Sequence, residues 1–312
     1  MSTGLERSLI GLQDKDDPKP KVVIGIPAYN EDRFIASVVI KAKNYADQVI
    51  VVDDGSTDMT CEVAESAGAT VIRHLVNMGK GHALNTAFQA AREMGADCLV
   101  VIDGDGQHHP EEIPEVIHHV LEGNADMVVG SRYLEVRSSV PWHRIWGHRA
   151  FTLLGNLGSG IFLTDSQNGF RAFSRRAIEV MHFQESGFSV ESEMQFLAKE
   201  HGLRVIEAPI TIRYQDAPKR SVVAHGLSVL DGILRLIGQY RPLLFFGVPG
   251  VLLLVVGVLM GVRVMNIYSI SRQLAFGHAL FTVLTITIGS TSLFTGIILH
   301  SIRALLLSYT KK

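Results

Sequence analysis

Two stretches of this sequence, Pro242 to Val262 and Gln273 to Ile302, contain no aspartate, glutamate, lysine or arginine. Each exceeds the roughly 20 apolar residues that an α-helix needs to cross the hydrocarbon core of a bilayer. The rest of the chain has no comparable segment that would cover two such helices in water. The pattern predicts a transmembrane hairpin over residues 242–312, with spans at about 242–262 and 275–299. Arg235 and Arg241 precede the first span, Arg263 and Arg272 lie in the connection, and Arg303, Lys311 and Lys312 follow the second. This mild bias favours both ends on the cytoplasmic side. Residues 1–20 are polar, with Asp14-Lys15-Asp16-Asp17 ahead of Pro18 and Pro20, and read as a flexible lead-in, not an apolar signal sequence. A multi-pass protein of the cell membrane is expected, with its polar part in the cytoplasm.

Just before the first span, residues 222–241 carry Val223, Leu227, Leu230, Leu234 and Ile237 at helical spacing. His225, Ser228, Asp231, Arg235 and Gln239 fall on the other side, which predicts an amphipathic interfacial helix. Residues 21–221 form the main folded part. Four Val/Ile-rich runs, Val22–Ile26, Gln48–Val52, Ala69–Ile72 and Cys98–Ile102, alternate with helical patterns at 34–45, 60–67 and 82–94. Such runs predict an α/β domain with a mainly parallel, Rossmann-like sheet covered on both faces. From Ser131 to about Arg220 the pattern is mixed α and β. Pro141 to Leu163 fits either a helix resting on the membrane or an ordinary packed helix.

The formal net charge of -2 gives no global basic surplus, so nucleic acid is not an expected partner. Cys61 and Cys98 stand far apart outside any C-x-x-C pattern, which argues against a disulfide framework or a zinc site and for a reducing compartment.

In sheets of this kind ligands bind beyond the carboxyl ends of the strands. Asp103-Gly104-Asp105-Gly106-Gln107 follows the fourth run. Two carboxylates and a carboxamide on a glycine-flanked turn offer hard oxygen ligands suited to Mg2+ or Mn2+. Asp53-Asp54-Gly55-Ser56-Thr57-Asp58 follows the second run. Asp53 and Asp54 there suit a base N–H or ribose hydroxyls, while Asp58 or Thr57 suits a helix cap. Asn77-Met78-Gly79-Lys80-Gly81-His82 opens a helix, leaving Lys80 either near an anion or as a plain surface charge. It is not a Walker A loop, and no G-x-G-x-x-G follows the first strand. Arg132, Arg144 and Arg171 supply guanidinium groups suited to bidentate phosphate recognition, Arg132 just past the run Met127–Val129. The adjacent pairs His108-His109 and His118-His119 do not form a metal box and read as structural or exposed.

Taken in order, Ile26-Pro27-Ala28-Tyr29-Asn30-Glu31, Val52 to Asp58, Asn77 to Gly81, Asp103 to His108, Gly130-Ser131-Arg132-Tyr133 and Asp165-Ser166-Gln167-Asn168-Gly169-Phe170-Arg171 resemble the polyprenyl- and dolichyl-phosphate sugar synthases. The likeness runs from about Lys21 to Ser221. His225-Gly226-Leu227, Arg241-Pro242-Leu243 and the two terminal spans resemble the archaeal members. The resemblance implies a GT-A fold and inverting transfer of a sugar from a UDP- or GDP-sugar to a polyprenyl phosphate, supplying lipid-linked sugar for glycan or protein glycosylation. It implies that Pro27, Tyr29, Glu31, Asp53 and Asp54 hold the nucleotide, with Lys80, Arg213, and Lys219 or Arg220 near the diphosphate. It places the metal at Asp103, Asp105 and Gln107. Arg132, Arg144 and Arg171 would serve the acceptor phosphate, and Asp165 and Gln167 would lie near the transferred sugar.

A phosphate monoester is largely ionised at neutral pH and needs no general base, unlike a hydroxyl. Asp165 is the nearest candidate for a base if one acts. Two rivals remain. A polysaccharide synthase acting on a hydroxyl would resemble its class in a Q-x-x-R-W motif, which is absent. A non-catalytic, membrane-tethered nucleotide-sugar binder would be expected to lack an acidic metal ligand, and none is missing.

Overall fold

A computed structural model describes residues 19–134, 142–184, 189–213 and 222–310. Among these, one sheet is built from β1 (Val22–Ala28), β2 (Gln48–Asp53), β3 (Thr70–Arg73), β4 (Cys98–Val101), β5 (Met127–Ser131), β6 (Arg171–Ser174) and β7 (Val205–Pro209). Their order is β3-β2-β1-β4-β6-β5-β7. The four apolar runs are the four parallel strands at one end of the sheet. Alternate side chains point to opposite faces, so each face needs its own cover. On one face Val23, Leu99 and Phe173 pack beneath α3 (Lys80–Glu93), α6 (Arg175–Val180) and α7 (Val190–Glu200). On the other, Ile24, Val51 and Val100 pack beneath α1 (Ile35–Ala42), α2 (Thr60–Ser66) and α4 (Ile113–Leu121). Cys61 and Cys98 are buried and free.

One strand breaks the parallel pattern. β6 runs antiparallel to both β4 and β5, while β7 runs parallel to β5. Its reversal places its first residue, not its last, at the edge where β1, β2, β4 and β5 end. The segment just before it, Asp165 to Phe170, therefore meets the residues that follow those strands.

Two helices flank this domain, α5 (Trp142–Ser159) and α8 (Val222–Tyr240). The α8 pattern was expected to present Val223, Leu227, Leu230, Leu234 and Ile237 as its apolar face. The face buried against the domain is Val229, Ile233, Leu236 and, from the expected stripe, Ile237, packed on Phe196 of α7 with Phe151 and Leu154 of α5 alongside. Gly158 permits the close approach, since a Cβ there would stand 2.6 Å from the Phe196 ring and 2.7 Å from Ile237. Leu227 and Leu234 stay exposed, as do Trp146, Leu153 and Leu157 of α5. Thus α8 is apolar on two sides, and the domain occupies one of them.

A π-helical turn, Leu243–Gly247, leads into α9 (Val248–Ser271) and, after a short connection, α10 (Phe276–Thr310). Both helices run past the expected spans. The 24 residues of α9 extend about 36 Å, enough for the hydrocarbon core. Only 17% and 22% of the most apolar windows of the two helices are buried, which is unlike a soluble core and fits a transmembrane hairpin. Glycines let the helices touch. A Cβ on Gly250 would lie 2.8 Å from the Gly289 carbonyl oxygen, and one on Gly289 would lie 2.9 Å from that of Gly250. The hairpin is also tied to the domain. Arg303 of α10 donates to the Gln239 carbonyl at 2.7 Å, lies 3.5 Å from Glu200 and stacks on the Tyr240 ring at 4.3 Å.

Candidate active site

The loops after β1 and β2 are stitched together. Asn30 adopts a left-handed conformation (φ 56°). Its N–H donates to Ser56 Oγ at 2.9 Å, and its side-chain oxygen accepts from Thr57 N at 2.9 Å. Glu31 N donates to Thr60 Oγ1 at 2.8 Å. Tyr29 remains 38% exposed beside this seam, and Pro27 is half-buried in β1. Asp58, one residue before the N-cap Met59, accepts from Thr60 N at 3.0 Å at the start of α2.

Asp53 and Asp54 differ in what they have left to offer. Asp53 Oδ1 accepts from Ser56 N at 3.0 Å, while its Oδ2 accepts no hydrogen bond and lies 3.4 Å from Arg73 Nε. That oxygen retains capacity for a donor. Asp54 does not. Its Oδ1 accepts from Met78 N at 3.0 Å and lies 2.8 Å from His74 Nδ1, and its Oδ2 accepts from Gly79 N at 2.7 Å. Both Asp54 oxygens help fix the turn that opens α3.

That turn delivers Lys80 to the end of β4. Its ammonium lies 2.7 Å from Asp103 Oδ1 and 2.7 Å from Glu191 Oε1 of α7. Asp103 Oδ2 in turn faces His108 Nε2 at 3.5 Å, and His108 is buried edge-on against the Phe170 ring. Lys80 is therefore held in a charge cluster at the strand ends and is not a plain surface charge. Glu191 and His108 belong to the cluster although the sequence did not point to them. Burial opposes the charges here, but Asp103 and Glu191 hold the lysine above its ordinary pKa, and Lys80 and His108 hold Asp103 well below the usual carboxylate range. Asp105 goes the other way: burial and then the nearby Asp103 charge push its pKa up.

Asp105 Oδ1 accepts from Gln107 N at 3.0 Å, and the Gln107 carbonyl accepts from Arg213 N at 2.9 Å. The side chains of Gln107 and Arg213 are exposed. A divalent cation fits this donor set. Two acidic groups crowd one turn, burial and then the Asp103 charge raise the proton affinity of Asp105, and an ammonium already serves Asp103. Among the described residues no three His, Cys, Asp or Glu side chains converge on one point. Such an ion would take two carboxylates and Gln107 and complete its shell from phosphate and water, as Mg2+ commonly does.

Arg132 and Asp165 meet across the β5 and pre-β6 loops. Arg132 Nε donates to Asp165 Oδ2 at 2.5 Å and Nη2 to Oδ1 at 2.6 Å, both residues being buried. Burial would raise the Asp165 pKa, but Arg132 outweighs it and holds the carboxyl below its ordinary value. Glu207 of β7 fixes this loop, accepting from Asp165 N at 3.0 Å and Thr164 N at 2.9 Å. Tyr133 OH meets His148 Nδ1 of α5 at 2.8 Å. Both oxygens of Asp165, the nearest candidate for a base if one acts, are engaged by one guanidinium.

Arg171 is also reassigned. It is fully buried and donates to the carbonyls of Asn168, Glu191 and Ser166 at 2.8, 2.9 and 2.6 Å. An acceptor phosphate cannot reach it, and its work is to brace the loop before β6. Gln167 donates to Ser192 Oγ at 2.9 Å. The side chain of Arg144, and Lys219 and Arg220, lie outside the described residues.

The sequence pattern described as glycosyl transferase family 2 matches residues 23–181, from β1 to the end of α6 and more than half of the chain. The chain belongs to this family. As a family 2 glycosyltransferase it is 33% identical over 229 residues to the UDP-N-acetylglucosamine–dolichyl-phosphate N-acetylglucosaminyltransferase of Methanococcus voltae, covering 66% of this chain and 90% of that one. It is 32% identical over 203 residues to the undecaprenyl-phosphate mannosyltransferase of Micrococcus luteus, covering 61% and 83%. Among solved structures it resembles glucosyl-3-phosphoglycerate synthase of Mycobacterium tuberculosis in complex with Mn2+, UDP and glucosyl-3-phosphoglycerate, with a TM-score of 0.57, 24% identity and coverage of 70% and 80%. The last likeness is one of fold. The expected GT-A domain, its mainly parallel sheet and the resemblance to polyprenyl- and dolichyl-phosphate sugar synthases are borne out.

Proposed function

We propose that this transferase moves a sugar, with inversion, from a nucleotide-diphosphate sugar to a membrane polyprenyl (dolichyl) phosphate, using Mg2+ or Mn2+ at Asp103, Asp105 and Gln107. The observation that carries the choice of acceptor is the Arg132–Asp165 pair. The carboxylate nearest the acceptor side is kept ionised and spent on a guanidinium. A hydroxyl acceptor would need that carboxylate as a base, whereas an ionised phosphate needs none. Arg132 meets the phosphate as a cation already oriented by Asp165.

On the donor side, the exposed Tyr29 flanks the base or ribose, and Asp53, whose Oδ2 is buried without a hydrogen-bond partner, would receive a donor only once it is uncovered. The divalent ion, when bound, neutralises charge on the departing diphosphate. Lys80 stands on the same edge, able to reach that diphosphate. The hairpin brings the domain to a lipid whose isoprenoid cannot leave the bilayer cheaply, at about 0.8 kcal/mol per buried CH2. The catalytic domain is read as cytoplasmic from the mild arginine bias around the spans. The names of the two relatives, one acting on dolichyl phosphate and one on undecaprenyl phosphate, support the same acceptor class.

The test supplies membranes with dolichyl phosphate and with UDP-glucose, UDP-N-acetylglucosamine or GDP-mannose, beside a soluble hydroxyl acceptor, and analyses products by mass spectrometry. A glycosylated lipid phosphate is expected from one donor. Transfer to the hydroxyl acceptor alone would overturn the reading.

A further inference from the structure

Lys80 bridges two carboxylates that come from distant parts of the chain. Asp103 Oδ1 and Glu191 Oε1 each lie 2.7 Å from its ammonium, and the side chain is only 18% exposed. Gly169 closes over the bridge, since a Cβ there would stand 3.0 Å from Nζ. Yet Asp103 is the residue whose oxygens would ligate the divalent ion, and its other oxygen is turned to His108. An ion on Asp103 and an ammonium on the same carboxylate repel in a site this shielded from water, so each weakens the hold of the other. The lysine has the flexible stem that lets it move away.

We propose that Lys80 is an internal counter-ion of the metal site, which weakens metal binding until a nucleotide diphosphate arrives to take the lysine over. Metal and diphosphate then bind with positive coupling: each removes the obstacle to the other, by the same factor in either order. Glu191 is the positioning partner that keeps the lysine at the site when Asp103 releases it. The inference rests on the assignment of the metal to Asp103 and Asp105 made above.

Mn2+ binding to the full chain in detergent tests it, measured by calorimetry and by the electron paramagnetic resonance of free Mn2+, with no turnover involved. Mn2+ is titrated alone and with UDP or GDP into wild type, Lys80→Met and Lys80→Arg. Wild type and Lys80→Arg should bind Mn2+ weakly alone and markedly more tightly with nucleotide. Lys80→Met should bind Mn2+ alone about tenfold more tightly than wild type, within the usual range of coupling between sites. Its nucleotide enhancement should shrink by a similar factor. Mn2+ should also raise the melting temperature of Lys80→Met more than that of wild type. Where Lys80→Met does not fold, Lys80→Gln carries the same expectation. Nucleotide-dependent Mn2+ binding in wild type with no gain in the uncharged variant overturns the counter-ion role alone. A wild type that binds no Mn2+ even with nucleotide overturns the metal assignment, and this inference with it.

Discussion

Gly169 lies so close to Asp103 that a Cβ on it would stand 2.6 Å from Oδ2. Its φ is ordinary, so the constraint is space and not backbone conformation. Gly169→Ala should displace the Asp103 carboxylate and cost on the order of 10²-fold in turnover, the usual penalty for about 1 Å of misplacement. Steady-state transfer rates set against thermal melts check this. A variant within a few-fold of wild type would take Gly169 out of the site's geometry.

Asp105 has few structural duties, accepting from Gln107 N within its own turn. Asp105→Ala should therefore abolish transfer while the fold survives. EDTA should silence the wild type, and added Mg2+ or Mn2+ should restore it. Full activity in EDTA would sink the metal assignment.

Arg132 and Asp165 should be separable by what each variant loses. Arg132→Ala should reduce use of the lipid phosphate at least tenfold and leave nucleotide binding nearly unchanged by calorimetry. Asp165→Asn keeps the shape but loses the charge that orients the guanidinium. It should raise KM for the acceptor while the pH profile of kcat keeps its shape. Loss of the acidic limb of that profile would instead make Asp165 a base.

Asp126 ties the starts of β5 and β7 to α6. It accepts from Arg204 N at 2.9 Å and Arg204 Nε at 3.2 Å, and lies 3.4 Å from Arg176 Nη1. Burial would raise its pKa, but the Arg204 hydrogen bonds and charge win and lower it. A lowered folded pKa gives stability that is present above the unfolded value near 3.9 and is lost as pH falls through the folded one. Both arginines are more than half exposed, so solvent screening trims the gain to roughly 1 kcal/mol. Melts of wild type and Asp126→Asn should differ by a constant amount above about pH 5 and converge below about pH 4. A gap that persists at acid pH would contradict this.

The half of the sheet made of Val/Ile runs was legible in the sequence, because a strand buried on both faces leaves an unbroken apolar run. β1 extends the predicted Val22–Ile26 only to Ala28, and β4 falls within Cys98–Ile102. β6, Arg-Ala-Phe-Ser, is four residues with a charge at its head and carries no such signal. Its direction is set by long-range pairing that no local pattern encodes. The same holds for Glu191, which sits 111 positions from Lys80 in a Ser-Val-Glu-Ser-Glu run that reads as an ordinary polar helix start. Arg171 was misread because an arginine in a motif suggests a ligand, whereas three backbone carbonyls make it a brace. In α8, counting spacings finds one apolar stripe but cannot say that the helix has two and that the protein takes the second.

The arginine clamp between anchor and domain carries a kinetic consequence. Arg303 reaches Gln239, Glu200 and Tyr240, and Arg241 reaches the Gly158 carbonyl at 3.2 Å, so α8 passes into the hairpin without a slack tether. A catalyst fixed at one height above a plane meets a co-resident lipid only by lateral diffusion within that plane. Its encounter rate with the proposed acceptor follows the mole fraction of carrier among the surrounding lipids, not the amount of carrier per volume. Diluting vesicles should leave the turnover per enzyme unchanged, whereas thinning the carrier with inert phospholipid should slow it in proportion.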